Sequence, residues 1–256
     1  MESFLVFLLL TGGALEGMAA AKPALGALAG HRPAPCAGCG LWKAGLTETN
    51  TYRLAEKGVP GSSTYFLRGI LRDGRRVLEI EVQTHRKLIL GGQEGNLVTR
   101  GLTFVDPATF DLLESRLTTT LNGSEASYLR AERQGNKIKI RQKLRGSPLE
   151  IRTVEAPSPV VEETALLFYL ARLPWKKGGE FHWMRFSPAQ GRLLGASARV
   201  EKEENQGLRV IVQTEIGPSI YHIRRGSSTV VVKTEAGGSE QMHLESSTSL
   251  PQRLLK

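Results

Sequence analysis

The chain is a series of short stretches in which apolar and polar residues alternate one by one, each closed by residues that turn the backbone. RVLEIEVQT (76–84) shows the pattern most cleanly: Leu78, Ile80 and Val82 fall on one side, Glu79, Glu81 and Gln83 on the other. Successive side chains of an extended strand point to opposite faces, so this spacing predicts a half-buried antiparallel strand. The RDG turn at 72–74 predicts a hairpin that pairs it with STYFLRGIL (63–71). NKIKIRQKL (136–144) repeats the pattern, with Ile138 and Ile140 set against Lys137, Lys139 and Arg141.

DLLESRLTTTL (111–121) places Leu113, Leu117 and Leu121 on one face, and Asn122-Gly123 is a strong turn signal before ASYLRAER (126–133). A helix competes for 111–117, but the branched side chains of Thr118–Thr120 favour extended chain. LLGASARVEKE (193–203), GLRVIVQTEI (207–216), SIYHIRR (219–225) and STVVVKTE (228–235) continue the series. With 28 glycines, 6% aromatic and 40% hydrophobic residues in 256, the composition suits strands and turns around a sizeable core. The expected fold class is mostly β: a curved antiparallel sheet, as half-barrel, barrel or sandwich.

One segment breaks the alternation. SPVVEETALLFYLARLP (158–174) predicts a helix over about 159–173, with Ser158 as cap, Pro159 in the first turn, Glu162 and Glu163 against the amino-terminal dipole, and Pro174 as stop. Leu166, Leu167, Phe168, Tyr169 and Leu170 make it apolar nearly all round, so it should be buried on more than one side, plugging the concave face of the sheet. GGEFHWMRF (178–186) then returns as a strand with aromatics on both faces, Trp183 among them.

The amino terminus points to a compartment. Phe4–Leu10 is intensely apolar and is followed by small residues up to Ala19-Ala20-Ala21, the shape of a signal peptide over 1–21. The positive residue usual before such a run is missing. Cleavage after Ala21 would remove Glu2 and Glu16 and leave a net charge of +11 (34 minus 23). Residues 22–46 read as an Ala/Pro/Gly-rich linker, 47–248 as one β-rich domain and 249–256 as a tail. The expected location is periplasmic or cell-envelope.

The linker holds Cys36 and Cys39, both cysteines of the chain. Structural zinc needs four ligands and there is no second pair; a thioredoxin-type site needs a helix inside a βαβ unit, and the flanks are not of that kind. A lipid-attachment cysteine would follow the apolar run directly. What stands is a short-loop disulfide, which an oxidising compartment permits, or two free thiols. No metal and no cofactor are expected.

FVDPATFDLLESRL (104–117), where an Asp-Pro turn feeds a strand, and ETALLFYLARLPWKKGGEF (163–181), a mid-chain helix ending in Leu-Pro, a Gly turn and another strand, carry a resemblance. Over roughly 47–248 the layout resembles exported bacterial proteins known only as a domain of unknown function, and it shares their look with lipoprotein-carrier-like half-barrels that cradle acyl chains. The resemblance implies a β-rich fold and brings no catalytic residues. The missing lipobox departs from the lipid-anchored members.

No nucleophile elbow, P-loop or zinc-protease helix occurs, so the expectation is a non-enzymatic protein. Two binding surfaces are candidates. An apolar or lipid-like ligand would sit between sheet and helix, lined by Leu166, Phe168, Tyr169, Leu170, Phe181 and Trp183, side chains that equally suit a plain core. Alternatively the basic strand Lys137, Lys139, Arg141 and Lys143 would contact anionic lipid, cell-wall polymer or an envelope protein. The net charge of +9 favours acidic partners, but no basic motif interleaved with aromatics suggests nucleic acid.

Overall fold

The computed structural model describes residues 46–55, 60–90, 92–157, 159–176, 178–225, 229–237 and 239–251. Cys36, Cys39, the apolar amino terminus and Ser158 lie outside the described residues. In the first half, β1 (Leu46–Leu54), β2 (Gly61–Arg72), β3 (Arg75–Leu90), β4 (Gln93–Val105), β5 (Leu112–Leu121), β6 (Ser124–Gln134), β7 (Lys137–Leu144) and β8 (Glu150–Glu155) form a meander. In the second, β9 (Val160–Glu162) and the helix α1 (Leu166–Arg172) precede β10 (Glu180–Ser187), β11 (Arg192–Glu204), β12 (Gly207–Thr214), β13 (Gly217–Arg224), β14 (Val230–Ala236) and β15 (Ser239–Pro251).

All fifteen strands belong to one sheet, in the order β8-β7-β6-β5-β4-β3-β2-β1-β15-β14-β13-β12-β11-β10-β9. The last strand pairs with the first, from Leu46 opposite Pro251, so the pairing runs three residues into the segment read as a tail. Neighbours are antiparallel except β9 and β10, where Val160–Glu162 lie parallel to Met184–Phe186.

The expected alternation holds in β3 and β7, but in β5 the register slips between Phe104 opposite Glu114 and Val105 opposite Leu112, so that Leu112 and not Leu113 is fully buried. Leu78, Ile80 and Val82 are buried, as are Ile138 and Ile140. Asp73 and Gly74 take φ of 52° and 73°, and Asn122 and Gly123 of 50° and 80°, the left-handed pairs that a two-residue hairpin turn requires. At the Asp-Pro turn, Asp106 Oδ1 accepts the backbone N–H groups of Ala108 and Thr109 at 2.9 and 3.0 Å before the chain enters β5.

The helix is shorter than the sequence pattern predicts. Val160 and Val161, with Glu162, form β9 instead of a first helical turn; Glu163–Ala165 make a single 3-10 turn, and α1 begins at Leu166. Two β-branched residues next to an unpaired edge of β10 gain more from strand pairing than from helix, which Val disfavours. Arg172 stands in the last turn of α1, and Leu173 ends the helix in extended conformation before Pro174.

Strand β10 explains how the sheet meets itself. Trp183 and Phe181 on one face pack with α1, Tyr52, Tyr65, Leu67 and Ile80 in the main core. Met184 and Phe186 on the other face pack with Leu112, Leu129, Ala131, Ile138 and Ile140 of β5–β7 in a second core. With both faces of β10 covered, the sheet is not closed edge to edge. It rolls, so that the β5–β8 end overlaps the β9–β10 end, which accounts for the aromatics on both sides of GGEFHWMRF.

Candidate functional site

The plug comes first, because it fills the concave side of the roll. Leu166, Phe168, Tyr169, Leu170 and Trp183 are buried, and Phe181 is partly buried against them. Their partners are one another and the sheet wall. The rings of Tyr169 and Trp183 meet edge-on at 5.4 Å, Phe168 meets Tyr65 at 6.4 Å, and Trp175 meets Phe181 at 5.0 Å. Burial alone raises the Tyr169 hydroxyl pKa strongly. These six residues are thus brought together, and their surface is occupied by core packing. Gly101 helps to seat the plug: a Cβ there would stand 2.6 Å from Val82 Cγ1 and 3.7 Å from Thr164 Cγ2.

Polar contacts fasten the plug at both ends. At the carboxyl end of α1, Arg172 donates to Glu48 of β1 at 2.7 Å and to its own helix at the Phe168 carbonyl. At the other end, Glu162 is fully buried. Its Oε2 accepts from Thr103 Oγ1 of β4 at 3.2 Å, from the Thr164 N–H at 2.8 Å and from the Thr164 hydroxyl, while Oε1 has no partner. Burial pushes its pKa from the usual carboxylate range up to about 7, against the lowering effect of the Thr164 and Thr103 hydrogen bonds. Beside it Glu163 pairs with Arg185 and accepts from Ser187 at 2.9 Å. A cavity of about 130 Å³ lies next to this junction, lined by Thr84, Arg86, Thr99, Glu163 and Thr164 among others.

The outer face of β5–β7 carries the third cluster. Lys137, Lys139, Arg141 and Lys143 share one face of β7, opposite the buried Ile138 and Ile140. Strand register continues this face: Arg141 lies opposite Arg130 of β6, and Arg130 opposite Arg116 of β5. Glu114 ties the inner part of the row together, meeting Arg72 at 2.6 Å, Arg116 at 2.7 Å and Arg130 at 3.1 Å. Burial would raise the Glu114 pKa, but the hydrogen bonds from Arg72 and Arg116 outweigh it and hold the carboxyl below its usual range. Lys137 pairs with Glu155 of β8 at 3.2 Å. Among the described residues, Lys139, Arg141 and Lys143 make no ion pair.

Sequence reasoning placed the basic row and the plug but missed the partners that join elements far apart in the chain. Glu162 read as a dipole partner for a helix start, whereas it is a buried anchor between β9 and β4. The signal available was local: a carboxylate directly after two valines, where a strand would carry it inward. Glu114 stood in an alternating strand and gave no sign of the three arginines around it. No group of three or more metal-ligating side chains occurs among the described residues, and none of their helices is long and apolar enough to cross a membrane.

These features define a mostly-β, barrel-like protein with an internal helix. Among solved structures, the crystal structure of a β-barrel-like protein of the domain of unknown function DUF1849 from Brucella abortus is similar to this chain. It superposes with a TM-score of 0.55 at 11% identity, covering 80% of this chain and 97% of that one. The likeness shows the fold, and it agrees with the resemblance to a bacterial β-rich domain of unknown function. No protein-family model and no curated protein matches the chain.

Proposed function

We propose that the chain is an exported, non-enzymatic module of the cell envelope that uses the outer face of β5–β7 to contact an anionic surface. The observation that carries this reading is the row of half-buried Lys139 and Arg141 and exposed Lys143, in no ion pair among the described residues and extended in register by Arg130 and Arg116. Lys139 lies opposite Glu132, but Arg141 lies opposite Arg130, a like-charge pair on neighbouring strands that costs stability and that an acidic partner relieves. The apolar side chains considered for a lipid-like ligand are spent on core packing, so the outer face is the better candidate. Export rests on the apolar run Phe4–Leu10 and the small residues after it.

The test is equilibrium binding to two anionic surfaces, heparin-coated beads and phosphatidylglycerol vesicles. A Lys139→Glu/Lys143→Glu variant should bind both at least about tenfold more weakly, since each cation near an anionic surface contributes about 1 kcal/mol. An Arg199→Glu/Lys202→Glu variant changes the net charge equally from the exposed part of β11, and it should bind nearly as wild type. Equal losses in the two variants would reduce the effect to net charge and refute a dedicated face. Expression in a bacterium should also yield a leader-cleaved species in the envelope fraction; an uncleaved cytosolic chain would overturn export.

A further inference from the structure

Strand β8 is the outer edge of the rolled sheet, with β7 on one side and, among the described residues, no strand on the other. Five of its six residues are exposed. Among the described residues, five large apolar side chains are more than half exposed: Leu71, Ile89, Leu149, Ile151 and Ile216. Leu149, just before β8, and Ile151 within it, at 51% and 59% exposure, stand two residues apart, the spacing that shares a face where the chain is extended. That face is the outer one, because Ile151 lies directly opposite Arg141 of β7. Lys143, near the end of β7, and Arg145, in the turn that follows, are also exposed, and neither makes an ion pair among the described residues. The nearest acidic residue in sequence, Glu150, alternates to the inner face together with Arg152, whose guanidinium is held by the Gly191 carbonyl at 2.7 Å.

We propose that this edge docks on an anionic phospholipid bilayer, with Leu149 and Ile151 entering the boundary between headgroups and acyl chains and Arg141, Lys143 and Arg145 holding lipid phosphates. The inference rests on the basic-face reading above and adds what supplies the negative charge. Exposed apolar side chains beside a row of cations match an interface that is anionic outside and hydrocarbon beneath. A second copy is a poorer occupant. Pairing two β8 edges would set two rows of unpaired cations on one face, three strand spacings apart, about 14 Å. A purely anionic polymer would engage the cations and leave Leu149 and Ile151 in water.

An Ile151→Trp variant tests the inference by fluorescence. Trp175 and Trp183 are buried, and wild-type protein with the same vesicles supplies the baseline. Phosphatidylglycerol vesicles should shift the Ile151→Trp emission to the blue, and lipids brominated on the acyl chain should quench it; pure phosphatidylcholine vesicles should do neither. A Leu149→Ser/Ile151→Ser variant, which leaves every cation in place, should bind the vesicles about tenfold more weakly while binding heparin-coated beads as wild type. Vesicle binding without blue shift or quenching overturns the insertion and leaves the basic-face reading intact. Binding to neither vesicles nor beads overturns both. A dimer in light scattering that Ile151→Arg dissociates would assign the edge to self-pairing and overturn the proposal.

Discussion

Thr103 of β4 and Glu162 of β9 share a hydrogen bond of 3.2 Å across the overlap of the rolled sheet, although they are 59 residues apart in the chain. This bond and the two from Thr164 are what a fully buried carboxyl receives in place of water. Burial raises its pKa from 4.5 to about 7, although these hydrogen bonds pull the other way. Below the unfolded value of 4.5, both states hold the proton and the group costs nothing. As pH rises through the folded value near 7, the folded state must ionise a buried group, and stability is lost. The expected loss is on the order of 3 kcal/mol between about pH 4.5 and 8. Glu162→Gln should flatten this slope and be the more stable protein at pH 8. Urea unfolding at several pH values measures it; an unchanged slope in the variant would remove Glu162 as its source.

The contact of Tyr169 and Trp183 locates the energy of the plug. Both are buried, and their rings meet edge-on at 5.4 Å. Truncating such a residue removes transfer energy and leaves a cavity, so Phe168→Ala or Tyr169→Ala should each cost about 3–5 kcal/mol in denaturant unfolding. A cost below about 1 kcal/mol would mean that the space between helix and sheet collapses readily or is already loosely filled.

Gly101 should tolerate nothing larger. The added methyl of Gly101→Ala would meet Val82 Cγ1 at 2.6 Å and Leu117 Cδ1 at 3.2 Å. Overpacking of this kind costs about 1–3 kcal/mol. Val82→Ala in the same chain should recover part of that loss, and a double-mutant cycle with no coupling would place the strain elsewhere.

Glu114 holds three arginines on the outer face, and its pKa is lowered. Its contribution is present above its unfolded value near 4.5 and is lost as pH falls through the lower folded value. Glu114→Gln should therefore weaken the fold by roughly 1–2 kcal/mol at neutral pH, after allowance for solvent around Arg72 and Arg116, and should reduce the loss on acidification. Chemical unfolding at pH 7 and pH 3 separates the two effects.

Most strands and their faces were legible in the sequence because one-residue alternation is a local signal, though the slip in β5 that turns Leu112 inward was not. Leu78, Ile80 and Val82, or Ile138 and Ile140, need no distant information to declare an inner face. Asp73-Gly74 and Asn122-Gly123 declared their turns for the same reason. The start of the helix was not legible, since Val160 and Val161 form a strand only because β10, some twenty residues later, offers an edge. The overlap of the roll lay equally out of reach: β10 with apolar residues on both faces signals double burial but not by what. Leu149 and Ile151 escaped notice for a related reason. Their spacing marks a face, and only the pairing of Ile151 with Arg141 identifies that face as the outer one.

The central claim is that the β7 cations form a binding face, and its most direct test is the salt dependence of vesicle binding. Partition of wild-type protein onto phosphatidylglycerol vesicles should fall steeply between about 0.05 and 0.5 M salt, where the screening length shrinks from about 13 to 4 Å. The Lys139→Glu/Lys143→Glu variant should start lower and vary little over the same range. Binding of the wild type that is indifferent to salt, or a variant that keeps the full salt dependence, would contradict the account.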